Sequence, residues 1–235
     1  MSSDPADSWL LTAFADTRHG VWGLLLGGAQ PRAVIRTIGS LDGAPPDTWN
    51  PAAGLALSPG GDGAGSVSAT EGAARGLQAL RVSDAQTPED GEPLEVDAPA
   101  FGFAGPGLPK LDSVRILAAW FPSQRTVALA AVRPREGRSD AEMVSVLVTG
   151  EPEPLTVFDP RLSTTYDGDG KPVRAGLELW LGEEDGDHHP LRLSSESNGD
   201  QLSADLDDLR LQAFSQRCHA WGEDGVGLYA LLRPR

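Results

Sequence analysis

The sequence predicts an all-β chain in two consecutive antiparallel β-barrel halves, residues 1–108 and 109–235, with a single large β-sandwich as the alternative arrangement of the same strands. Three observations carry this. Short apolar or alternating runs recur about every 8 to 12 residues between Gly, Pro, Asp and Asn. Asp-Gly pairs stand between adjoining runs in TYDGDGKP and again in GEDGVG, as hairpin turns require. The opening hairpin pattern also returns in mid-chain: Leu11, Ala13, Phe14 and Val21 correspond to Leu117, Ala119, Trp120 and Val127, with ADTRHG and FPSQRT as the two turns. A repeat of that size gives halves of about eight strands, enough to close a small barrel around one small ligand.

In chain order, WLLTAFAD and GVWGLLLG form the first hairpin, and RAVIRTIGS is an apolar strand that ends in LDG. Helical periodicity is almost absent; SATEGAARG and DAPAFGF are the stretches nearest to a helical turn. GLQALRV is a strand, and FGFAGPGLPKLD, rich in Gly and Pro, marks the boundary between halves. RILAAWF and TVALAAV repeat the first hairpin and EMVSVLV follows. In AGLELWLG, Leu177, Leu179 and Leu181 share one face while Glu178 and Trp180 share the other, the mark of a half-buried strand. PLRLSS, QLSADL, LRLQAFSQRC and GVGLYALL complete the second half.

The formal net charge of −15 repels phosphate backbones and anionic membrane surfaces, so no nucleic-acid partner is expected. Two lysines stand against many arginines in a chain rich in Ala, Gly, Pro and Asp, which points to a bacterial source with a GC-rich genome. One cysteine, Cys218, allows no internal disulfide and suits a cytoplasmic location. MSSDPADSWLL has no basic n-region and no long apolar core, and no run reaches membrane-spanning length, so no membrane insertion is expected.

Motifs for chemistry are sparse. His19 in DTRHG, with Asp16 nearby, forms the one candidate acid–base pair; a solvated turn explains it equally. EEDGDHHP collects carboxylates and two histidines, but neighbouring histidines on a strand diverge. YDGDGKP begins like a calcium loop, yet Lys171 and Pro172 stand where an oxygen ligand and the invariant glycine belong. No metal and no cofactor are therefore expected. Cys218 and His219 are adjacent on a strand, so their side chains point apart. Tryptophan is plentiful, six residues against two tyrosines, and Trp22, Trp120, Trp180 and Trp221 lie in or beside strands. Inward-facing tryptophans either fill a barrel or wall an apolar cavity.

The run W-x4-F-x4-HG-x-WG, as Trp9, Phe14, His19, Gly20, Trp22 and Gly23, resembles the opening of the lipocalin-like hydroxyneurosporene synthase (carotenoid 1,2-hydratase) superfamily. FSQRCHAWGEDGVGLYALLRP is similar to the final hairpin of those proteins. The stretch from Phe101 to Phe121 lacks the Asp-His-x-Trp-Gly signature that many members carry. The resemblance implies lipocalin-like barrels and an apolar partner of terpenoid, polyene or lipid-like character, handled by binding alone or by cofactor-free hydratase or cyclase chemistry. Phe14, Trp22, Trp120, Trp180, Glu178 and Trp221 are the expected ligand-binding residues. A non-catalytic accessory or interaction module stands as the alternative.

Overall fold

The computed structural model describes residues 11–18, 20–26, 32–37, 50–51, 56–59, 68–69, 77–86, 93–103, 111–135, 142–150, 156–182, 186–206 and 209–235. All regular structure among them is strand. The first half supplies β1 (Leu11–Asp16), β2 (Val21–Leu26), β3 (Arg32–Thr37), β4 (Asn50–Pro51), β5 (Ala56–Pro59), β6 (Ser68–Ala69), β7 (Leu77–Gln86) and β8 (Pro93–Phe103). The second supplies β9 (Leu111–Trp120), β10 (Thr126–Pro134), β11 (Met143–Thr149), β12 (Thr156–Tyr166), β13 (Pro172–Gly182), β14 (His188–Leu206), β15 (Leu209–Ala220) and β16 (Glu223–Pro234). SATEGAARG and DAPAFGF hold strand residues, β6 and the end of β8, where a helical turn was the alternative. Among the described residues, no helix is long and apolar enough to cross a membrane.

The strands form two antiparallel sheets. One runs β4-β3-β2-β1-β8-β7-β5; the other runs β12-β13-β14-β15-β16-β9-β10-β11-β6. In the second sheet β11 comes back beside β12, so these strands nearly close a barrel. The short β6, from the first half, pairs with β11 through Ser145 and Val146. One barrel and one sheet thus share the chain, with the sheet laid against the barrel wall.

That arrangement explains the two kinds of strand in the sequence. β9 and β10 are continuous apolar runs because both of their faces are covered. Leu117, Ala119, Val127, Leu129 and Ala131 face the barrel lumen, where they meet Leu177, Leu179 and Leu181 of β13 and Leu191 and Leu193 of β14. Ile116, Ala118, Trp120, Ala128 and Ala130 face outward, against Leu11, Ala13, Trp22, Leu24 and Phe101 of the first sheet. Trp120 ties the two layers: its Nε1 donates to the Pro99 carbonyl at 2.9 Å and its ring stacks on Phe101 with centroids 5.6 Å apart. β13 and β14 alternate because their outer face meets water.

Two local features set what the barrel presents. β12 and β13 lose register between Phe158 and Arg161, and Asp159 there has φ 45°. This bulge switches which residues of β12 face inward. Val157 packs in the lumen before it; Leu162, Thr164 and Tyr166 face inward after it. The second feature is the β15–β16 turn, which falls at Trp221–Gly222, ahead of the Asp-Gly of GEDGVG, with φ 53° and 75°. Two successive positive φ values fit a tight hairpin turn that follows the strand twist. Trp221 is held in this unusual geometry edge-on to Phe121, centroids 5.2 Å apart, with the Arg125 guanidinium 5.5 Å from its ring. The TYDGDGKP hairpin turn is where it is expected: the Asp167 carboxylate accepts from the amides of Asp169 and Lys171 at 2.9 and 2.8 Å, closing the turn on itself.

Candidate functional site: the polar end of the second barrel

The lumen is apolar through its middle and at the Trp221 end. Leu117, Leu129, Leu179 and Leu181 have no accessible surface, so no water-sized space touches them. The opposite end is different. Inward positions there carry Arg115 of β9, Thr164 and Tyr166 of β12, and Tyr229 of β16, with Glu142 just before β11. The Glu142 carboxylate accepts both bonds of one Arg115 nitrogen, at 2.8 and 2.7 Å, with the side chains 24% and 19% exposed. Across the lumen the Tyr229 hydroxyl is 3.2 Å from Thr164 Oγ1 and 3.1 Å from the Tyr166 hydroxyl. A deeper polar layer continues this cluster. Ser195 Oγ donates to the Ala175 carbonyl and to Gln216 Oε1, both at 3.2 Å. Gln216 is 2% exposed, and its Nε2 has no hydrogen-bond partner.

The charges respond to this setting. Burial pulls the Arg115 guanidinium down, but the bond and charge of Glu142, with the two tyrosines adding to them, hold it above its ordinary value. Burial pushes the Tyr229 phenol well above its ordinary value. Tyr229 therefore stays neutral and acts as a hydrogen-bonding group. Burial also pushes the Cys218 thiol up to about 12. Both are acids with raised folded-state pKa values. Their neutral forms favour the fold below the unfolded values, and that contribution is lost as pH rises from about 9 toward 12. Stability measured by urea denaturation is expected to fall over that window, and Cys218→Ala to flatten the fall by up to about 1.4 kcal/mol per pH unit. In the native state near neutral pH, Cys218 is expected to resist thiol reagents that label it at once in urea.

The expected site residues separate into three places. Phe14, Trp22 and Trp120 come together, lining one crevice with Val226 that has no room for a water molecule. Trp22 Nε1 is buried in that region without a partner. Glu178 and Trp180 lie outside the barrel. Trp180 is 38% exposed, and Glu178 belongs to an open groove of about 560 Å³ with Arg161, Ser163, Gly176, Arg192 and Ser194. Trp221 caps the far end of the barrel. Of the acid–base pair, His19 lies outside the described residues, while the buried Asp16 carboxylate accepts from the Arg18 amide at 2.9 Å, a bond within its own turn.

Glu183, Glu184 and Asp185 of EEDGDHHP also lie outside the described residues; His188 stacks on Phe158, centroids 4.2 Å apart. Among the described residues no three His, Cys, Asp or Glu side chains stand together as a metal site. His219 turns outward to Asp224 at 2.9 Å, away from the buried Cys218. The polar end escaped the sequence reading, although both tyrosines of the chain stand there and Arg115 interrupts an otherwise apolar inward face. No family model matches this chain, and no curated protein matches it.

Proposed function

We propose that the protein binds an apolar small molecule carrying one polar end, seated at the Arg115–Tyr229 end of the second barrel, and that it binds without catalysing a reaction. The convergence of a half-buried arginine and three hydroxyls at one end of an apolar lumen supports this reading. Few convergent polar groups in an apolar wall are the usual composition of a small-molecule site. The polar groups orient one end of the ligand. Val144 and Leu162, partly buried against the lumen core on β11 and β12, offer apolar contact along the line where these two strands meet. The sealed leucine layers leave the ligand at the mouth. Binding is favoured over alkene protonation because a phenol whose pKa is raised is a poorer proton donor at neutral pH.

Native mass spectrometry of the purified chain tests the proposal. A small molecule that travels with the protein, and is lost on Leu162→Asp, is the expected result. A bare chain that also takes up none of a panel of fatty acids, alkanols and terpenoids would overturn it. The outer groove supports a second reading, an accessory module that docks a partner on β12–β14. Under it, Arg192→Glu abolishes partner capture and leaves small-molecule binding at the barrel mouth unchanged.

A further inference from the structure

Resting on the barrel-mouth reading, we propose that the polar end of the ligand is a carboxylate, and that Glu142 is a built-in competitor occupying the place that carboxylate takes. The ligand class is an amphiphilic monocarboxylate. Its head displaces Glu142 from Arg115, and its short apolar chain lies along Val144 and Leu162.

The argument begins with what the mouth offers. Arg115 carries only donors, arranged as a fork that matches a carboxylate. In the structure one nitrogen of that fork already holds both oxygens of a carboxylate, that of Glu142. The protein itself thus shows which chemical group this arginine accepts. Three hydroxyls, Thr164, Tyr229 and Tyr166, share two hydrogen bonds. Each hydroxyl has one proton, so whichever way the two bonds run, one proton of the three is left to donate elsewhere. Tyr166, 38% exposed, stands at the solvent side of this chain. Beneath it, the Gln216 Nε2 donor is also unspent. The donor excess favours an acceptor-only group, and a carboxylate is the acceptor-only group that the arginine fork fits.

Glu142 is placed to yield. It precedes β11, whose first residue is Met143, and its side chain is a quarter exposed, so leaving the pair returns it to water. Val144, on β11 two residues beyond Glu142, is partly buried against the lumen core and supplies the apolar contact for the chain behind the head group. The pair is 19% and 24% exposed, so its charge-assisted bonds are only partly screened, and the hold on Arg115 is one a carboxylate ligand has to compete with. Binding is therefore reduced by the fraction of molecules in which Glu142 holds Arg115, and removing that hold raises apparent affinity.

Titration of the full chain with octanoate and with octanol, followed by amide chemical shifts in β9, β11 and β12, tests this. Octanoate is expected to bind and octanol to bind at least about tenfold more weakly. Glu142→Gln is expected to tighten octanoate about five- to tenfold while leaving octanol unchanged, because it removes the carboxylate that competes for the fork and leaves the Arg115 charge unneutralised. Arg115→Gln is expected to abolish the preference for octanoate. If Glu142→Gln only destabilises the fold and leaves octanoate affinity unchanged or weaker, the pair is structural and the inference fails. If octanol binds as tightly as octanoate and Arg115→Gln has no effect, the carboxylate assignment fails while small-molecule binding at the mouth stands. If neither compound binds the wild type or Glu142→Gln, both readings fail.

Discussion

Trp120→Ala is expected to lower the stability of the chain by about 3–5 kcal/mol, the range for truncating a buried tryptophan. The residue is 3% exposed and lies where the barrel wall meets the first sheet. Three losses add together there. The apolar area of the indole goes, the stacking on Phe101 goes, and the Pro99 carbonyl loses the Nε1 donor at 2.9 Å. A buried carbonyl left unpaired carries its own desolvation cost of about 1–3 kcal/mol. The cavity opens between the two layers, so the loss acts first on their cohesion. Hydrogen exchange is the measurement that separates this from uniform weakening. Amides of β7 and β8 are expected to lose protection before those of β13 and β14, whose contacts lie on the far side of the barrel. A drop below about 1 kcal/mol, or equal loss across both sheets, would show that Trp120 does not tie the halves together.

Gly227→Ala is expected to destabilise by roughly 3 kcal/mol, the upper part of the range for overpacking a well-filled core. A Cβ at this position would stand 2.3 Å from Cys218 Sγ and 2.8 Å from the Ala118 carbonyl oxygen. The sulfur is buried and the carbonyl belongs to a strand paired with β16, so neither yields without disturbing the ladder. Gly225 is under the same constraint, with the Trp120 carbonyl oxygen 2.5 Å and the Phe121 ring 2.7 Å from the added carbon. The Gly-x-Gly of β16 is therefore a demand of close approach inside the barrel. Gly168→Ala serves as the control, because nothing lies within 4 Å of its added carbon. Urea denaturation is expected to show a large fall in midpoint for Gly227→Ala at unchanged m-value and almost none for Gly168→Ala. A Gly227→Ala variant as stable as the parent would show that the barrel wall is looser than its packing implies.

The proposed ligand site connects to the same architecture. Arg115, Glu142, Thr164, Tyr166 and Tyr229 come from three strands and one strand entrance, and only barrel closure makes them neighbours. The leucines that seal the rest of the lumen confine the polar groups to one end, and burial holds the Tyr229 phenol protonated further into alkaline pH. A site at the mouth of a filled barrel selects by its polar end more than by the length of its apolar part. This is why the proposed ligand is small and why its head group carries the test.

The sequence by itself determined that this is a strand protein and where most strands run. Alternation in AGLELWLG marked one face of β13 for burial, and the unbroken apolar runs of β9 and β10 are read correctly as strands because turn residues bound them. These are local signals with a period of two residues, and a period survives any arrangement of the sheets. The sequence did not determine what each buried face meets. Trp120 and Leu117 are both buried in one strand, yet one looks into the first sheet and the other into the lumen. Glu178 and Trp180 were equally compatible with a lumen wall and an outer face until closure put the leucines inside. Thr164 and Tyr166 face the lumen because of the bulge at Phe158–Arg161, which moves the inward set of β12 by one residue. The reason is geometric. Alternation says which side chains stand together, but the direction in which a sheet curls decides which of its two faces becomes the interior, and that is settled by contacts between residues as far apart in the chain as Thr164 and Tyr229.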